Sequence, residues 1–173
     1  MRVLKCDITC LEVDIIVNAA NNTLLGGGGV DGVIHHKAGE KLVEECAKLN
    51  GCETGEAKIT NAYNLLSDKI IHTVGPVYKN GECGEAELLK KSYLNSMVLA
   101  EDYRKENNKE NIAIAFPSIS TGVYKYPKEE ASQIAVDTIR EINNSKIEVI
   151  FVCFSDLDYQ IYLKNVHGIK LSC

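Results

Sequence analysis

The chain has 173 residues, with 19 lysines and arginines against 24 aspartates and glutamates, a net charge of −5 and a pI near 5.4. At 45% hydrophobic and 25% charged residues it has a globular composition, which excludes disordered and fibrous classes. The length suits one domain, 1–173, with a core large enough to fold without disulfides or metal. Net negative charge argues against a protein that holds nucleic acid by neutralising its phosphates.

Asp7, Glu12 and Asp14 interrupt Met1–Val17, so no apolar core of a secretory signal is expected there. No stretch approaches the ~20 apolar residues of a membrane span, and Cys173 leaves no prenylation box. Seven cysteines, none in a C-x-x-C pair, fit reduced thiols in the cytoplasm.

Apolar runs then alternate between two periods along the chain. Arg2–Lys5 and Asp14–Asn18 read as short strands. Asp31–Leu49 reads as one helix, with Ile34, Ala38, Leu42, Cys46 and Leu49 on a face. Ala57–Ala62 and Lys69–Val74 read as strands, the second closed by Gly75-Pro76. Glu85–Lys105 reads as a long helix carrying Leu89, Tyr93, Met97 and Ala100 on one face, and Ile112–Phe116 as a strand ended by Pro117. Pro127 suits the first turn of a helix that runs to Ile142. Lys146–Phe154 reads as a strand and Asp156–Lys164 as a last short helix. Interleaved strands and helices predict an α/β fold with a mixed, mostly parallel six-stranded sheet covered on both faces.

In such sheets ligands sit beyond the carboxyl ends of the strands. Two unusual segments leave strands there, Asn18–Gly32 and Pro117–Tyr124. Four consecutive glycines, Gly26–Gly29, are entropically costly to order unless the backbone must approach something closely. They run into a helix start, where free N–H groups make an anion site. Ser118, Ser120, Thr121 and Gly122 offer small side chains and further backbone donors. Two such loops can hold two phosphates without a lysine. Gly27-x-Gly29-x-x-Gly32 matches the dinucleotide fingerprint only by coincidence, because Ala19–Gly26 separate it from its strand. No Gly-Lys-Ser/Thr follows, so it is not a P-loop either.

Val17-Asn-Ala-Ala-Asn21 with Gly26-Gly-Gly-Gly-Val-Asp-Gly-Val-Ile-His35 resembles the first ligand loop of macrodomains, specifically the MacroD type. Cys6-Asp-Ile-Thr9, His72-Thr-Val-Gly-Pro76, Phe116-Pro-Ser-Ile-Ser-Thr-Gly-Val-Tyr124 and Val152-Cys-Phe154 fit further landmarks in the same order. The resemblance spans essentially the whole chain. It implies a three-layer α/β/α domain that binds ADP-ribose. It also implies hydrolysis of ADP-ribosyl esters, namely mono-ADP-ribose on acidic side chains and O-acetyl-ADP-ribose.

Carried over residue by residue, the resemblance puts Asp7 and the Ile8 backbone at the adenine, where a carboxylate suits an exocyclic NH₂, with Phe154 packed on the ring. Gly29 and Val30 would close the first loop over the phosphates, and Ser120, Thr121, Gly122 and Val123 would face them from the second. Asn21 and Asp31 would contact the distal ribose; Asp31 can orient the ribose and a water, or act as general base. Tyr124 would lie against the same ribose. Taken without the resemblance, Asp7 reads as a turn or cap residue, Asp31 as a helix N-cap and Phe154 as a core side chain. Asn18, His35 and His72 read as structural, Asn18 holding the loop's backbone. The Cys/His zinc insertion of some bacterial macrodomains is missing, so no metal and no cofactor are expected. The expected partners are ADP-ribose, its esters and mono-ADP-ribosylated proteins, with nucleic acid entering only through ADP-ribosylated ends. A monomer is expected. A reader that binds ADP-ribose without cleaving it is the alternative.

Overall fold

Six short apolar runs pair into one sheet, and their order decides where a ligand can sit. The computed structural model describes residues 1–142 and 145–168, so Cys173 lies outside the described residues. The strands are β1 (Arg2–Lys5), β2 (Ile15–Ala19), β3 (Ala57–Asn61), β4 (Lys69–Thr73), β5 (Ile112–Phe116) and β6 (Ile147–Cys153), in the order β1-β6-β5-β2-β4-β3. All neighbours are parallel except β3, which runs antiparallel to β4 at one edge.

The helices are α1 (Gly29–Ala38), α2 (Glu40–Lys48), α3 (Glu85–Glu106), α4 (Lys128–Ile142) and α5 (Asp156–His167). Because strand side chains alternate between faces, consecutive β2 residues feed two separate cores. Ile15 and Val17 join Leu89, Tyr93, Ala135 and Tyr162 beneath α3, α4 and α5. Ile16 joins Ile34, Leu42 and Cys46 beneath α1 and α2. The result is a three-layer α/β/α arrangement around a sheet buried on both faces. No helix among the described residues is long and apolar enough to cross a membrane.

Six of the twelve strand ends fall where predicted, and the other six differ by a single residue. The expected single helix Asp31–Leu49, however, is two. Gly39 breaks it with φ +89°, and a Cβ there would stand 2.8 Å from the Asn64 amide nitrogen. The break aims α1 and α2 differently and lets the β3–β4 connection close over the joint. Pro127 stands just ahead of α4, its carbonyl accepting from the Ala131 N–H at 2.9 Å.

Candidate active site

The carboxyl ends of β1, β2, β4, β5 and β6 lie along one rim, and a cleft of about 660 Å³ opens there. That volume falls within the range of small-molecule sites. All twelve residues singled out in the sequence line it: Asp7, Ile8, Asn21, Gly29, Val30, Asp31, Ser120, Thr121, Gly122, Val123, Tyr124 and Phe154. Its charged lining residues are Asp7, Asp31 and Asp158; among the described residues no lysine or arginine lines it. An anion in this cleft would have to be held by backbone.

The backbone is prepared for that. Gly28 precedes α1 in an extended conformation and offers no side-chain cap, so the first N–H groups of the helix are uncommitted at the cleft. Gly29 adopts φ +61°, a conformation glycine takes without strain. From the other side, Ser120 holds φ +66° although it is not glycine, and its loop is pinned by the Ser120 carbonyl accepting from Tyr126 N–H at 3.0 Å. The Tyr78 N–H donates to the Tyr124 carbonyl at 2.9 Å and ties that aromatic residue to the segment after β4. Gly75 is required in that segment: a Cβ there would collide with Ser120 Oγ and with Ile119.

Asn21 and Asp31 converge on Gly27. A Cβ at Gly27 would lie 3.0 Å from Asn21 Nδ2 and 3.1 Å from Asp31 Oδ2. Asn21 is also a loop staple: its Nδ2 donates to the Gly26 carbonyl at 3.0 Å, and its Oδ1 accepts from Thr23 N and Oγ1 at 3.0 and 2.6 Å. One amide N–H remains for a ligand. Asp31 is only 3% exposed. Burial pushes its carboxyl above the usual range; the hydrogen bond from Asn18 and the neighbouring His35 oppose this. Asn18 Nδ2 donates to Asp31 Oδ1 at 2.7 Å. Asn18 therefore holds a side chain of the site, beyond the backbone role expected for it. His35 Nε2 stands 3.4 Å from the same oxygen but is not aligned for a hydrogen bond.

At the far end, Asp7 caps the short turn Ile8–Cys10, accepting from Thr9 N at 2.9 Å, and pairs with Lys37 at 3.1 Å. The Thr9 hydroxyl hydrogen bond, then Thr9 N–H and Lys37, hold its carboxyl below the usual range. The cap reading and the pocket reading thus describe the same residue. Phe154 is not a core residue: it is 88% exposed at the lip, and Val123 stands exposed in the second loop.

Two further lining residues with titratable side chains stand outside those twelve. Asp158 is buried, paired with Lys128 at 2.7 Å and joined by the Ser155 hydroxyl at 2.6 Å. Ser155-x-x-Asp158 ahead of an apolar run is a capping-box pattern and was readable. Cys6 lines the cleft beside Asp7, and burial raises its thiol pKa above the usual value. Behind the site, the ligand atoms of His35, Cys46 and His72 lie within 4.8 Å of one another. These three come from three elements, so no spacing in the sequence gathers them.

A cleft at the strand ends, bordered by the start of α1 and the loop after β5 with a buried aspartate beside them, is the candidate small-molecule site of this three-layer α/β/α domain. A model of the Macro domain family matches residues 17–135, and the chain belongs to that family. It is 46% identical to an O-acetyl-ADP-ribose deacetylase of Escherichia fergusonii, over 94% of this chain and 92% of that protein. It is 49% identical to mouse ADP-ribose glycohydrolase MACROD2, over 93% of this chain but 34% of that longer protein. A solved structure of an Oceanobacillus iheyensis macrodomain mutant with ADPR superposes with a TM-score of 0.87 at 41% identity, covering 96% of this chain and 91% of that one.

Proposed function

We propose that the protein is an ADP-ribosyl ester hydrolase that releases mono-ADP-ribose from acidic side chains and deacetylates O-acetyl-ADP-ribose. The convergence of Asn21 and the buried Asp31 on Gly27, beside a cleft with no lysine or arginine among its described lining residues, carries this reading. The names of the relatives support ADP-ribose as the ligand and hydrolysis as the reaction class.

The adenine lies at Asp7 and Ile8, against Phe154. The diphosphate spans the N–H groups at the start of α1 and those of Ser120, Thr121 and Gly122 in the second loop, with Val30 and Val123 closing over it. The distal ribose reaches Asn21, Asp31 and Tyr124. There Asp31 orients a ribose hydroxyl and a water. The water adds across the ester, its hydroxyl and hydrogen dividing between the acyl carbon and the ribose oxygen, and free carboxylate and ADP-ribose leave. Asp31 or the substrate's own phosphate takes the water's proton and passes it to the ribose oxygen as the acyl–oxygen bond breaks, and the second proton is lost to solvent when the released acid ionises.

A second reading, a non-catalytic ADP-ribose reader, draws on the hydrogen bonds that commit Asn21 to its own loop. Product analysis separates the two. O-acetyl-ADP-ribose, glutamate-linked and arginine-linked ADP-ribose are incubated in parallel with the protein. Cleavage of the two esters and not of the N-glycosidic arginine link is expected. Tight binding with no turnover of either ester would leave the reader standing.

A further inference from the structure

Beyond Asp31 lies a buried row of polar side chains whose hydrogen-bond partners constrain the proton on His72. Asn18 Nδ2 is 2.7 Å from the Asp31 carboxylate and 3.1 Å from His72 Nδ1. An amide nitrogen only donates, so both of its hydrogens are used and His72 Nδ1 must accept. The proton of the neutral ring is then on Nε2, which faces Thr60 Oγ1 at 2.9 Å and, farther off, Cys46 Sγ at 3.7 Å. Thr60 can accept it, because the Thr60 hydroxyl donates onward to the Asn61 carbonyl at 3.2 Å. Burial pulls the His72 pKa down to about 3, so the ring is neutral at physiological pH. Asn18 Oδ1 is buried without a partner. The orientation of this amide therefore rests entirely on the two acceptors that face its nitrogen.

This row also decides the fate of the His35, Cys46 and His72 cluster. A metal ion at His72 Nε2 would displace the proton given to Thr60, and the Asn18 donor bars that proton from Nδ1. The hydrogen bonds fit a locked tautomer and do not fit a metal ligand.

We propose that Thr60 and His72 are positioning residues for the hydrolysis: Thr60 fixes the tautomer of His72, His72 fixes the orientation of the Asn18 amide, and Asn18 aims the Asp31 carboxylate. Without the Thr60 acceptor, Nε2 keeps only the long contact to Cys46 Sγ at 3.7 Å, and the ring proton moves to Nδ1. The Asn18 amide then turns over to accept it. Its carbonyl oxygen is brought against Asp31 Oδ1, where a negative charge is opposed. The titratable groups facing Asp31 are His35 on α1 and Cys46 on α2, while His72 on β4 faces Asn18 behind it. His35 and Cys46 remain in place in any Thr60 variant.

This inference rests on the reading of Asp31 as the residue at the reacting ribose, so its test has one arm that needs no activity. Long-range nitrogen–proton NMR of the free protein reads the tautomer directly: His72 is expected as neutral Nε2–H in wild type and as Nδ1–H in Thr60→Val. In the second arm, the acid limb of the kcat–pH profile for O-acetyl-ADP-ribose is expected to move up by about one unit in Thr60→Val, with KM within about twofold. Thr60→Ser, which keeps the hydroxyl, is expected to restore both. A wild-type His72 protonated at Nδ1, or an unmoved acid limb in a folded Thr60→Val, overturns the proposal. Absence of hydrolysis in wild type with the expected tautomers would instead overturn the role of Asp31.

Discussion

Asp31 and Glu85 are both buried carboxylates, 3% and 2% exposed, and their surroundings push them in opposite directions. Glu85 opens α3 and turns back on the preceding loop. It accepts backbone N–H bonds from Lys79, Asn80, Gly81 and Cys83, at 3.0, 3.3, 3.3 and 2.7 Å. Its own N–H and those of its loop hold its pKa down to about 2. Asp31 receives one aligned donor, the Asn18 amide, and burial wins: its pKa is raised. A carboxylate saturated with donors is a structural strut. One left short of donors at the end of a cleft is available to a substrate. The Glu85 loop serves the cleft indirectly, since it carries Tyr78, whose N–H holds Tyr124.

The comparison can be broken most sharply at Gly27. Gly27→Ala places a methyl group 3.0 Å from the Asn21 amide and 3.1 Å from the Asp31 carboxylate. A displacement of that order is expected to lower kcat by about 10- to 100-fold without unfolding the protein. Gly28→Ala, one residue on, meets nothing within 4 Å. It should leave kcat near wild type and raise KM, because it projects where the anion must approach. Steady-state kinetics of both variants on one ester checks the pair. If Gly28→Ala damaged kcat as much as Gly27→Ala, the convergence on Gly27 would not be what matters.

Stability gives the next contrast. Because burial raises the Asp31 pKa in the folded state, its favourable contribution is present below the ordinary carboxylate range and is lost as pH rises through the raised value. At pH 7 the folded protein carries an unwelcome charge. Asp31→Asn should therefore stabilise it by about 1 kcal/mol, a rise in Tm of ~2–4 °C, with the gap closing in acid. Glu85 behaves in the reverse sense. Its lowered pKa contributes stability above about 4.5, which is lost as pH falls toward about 2. Glu85→Gln should lower Tm at pH 7, with the deficit shrinking over that window. Thermal melts from pH 2 to 8 read both variants, and a common sign for the two would refute the contrast.

Much of this site was legible in the sequence because it depends on residue types that carry their own signal. The glycine run, the serines after a buried strand and Asp31 at a helix start each announce local backbone chemistry. The sheet was legible for the same reason, since β2 and β5 are short continuous apolar runs that only a strand buried on both faces explains. The break at Gly39 was not, because its cause is Asn64, 25 positions further on in the β3–β4 connection. Glu85 could be read as the first acidic residue of a helix, but its four donors belong to a loop whose turn has no fixed pattern. Asn18, Thr60 and His72 stand on three different strands, and only their pairing as sheet neighbours makes them one chain of hydrogen bonds.

The central claim is that Asp31 serves the reaction and is dispensable for holding ADP-ribose. The direct measurement is release of ADP-ribose from a glutamate-linked conjugate by wild type and by Asp31→Asn, with ADP-ribose affinity of each measured calorimetrically on the same samples. Release should fall at least about tenfold in the variant while Kd stays within about threefold. Equal release by the two proteins would contradict the account.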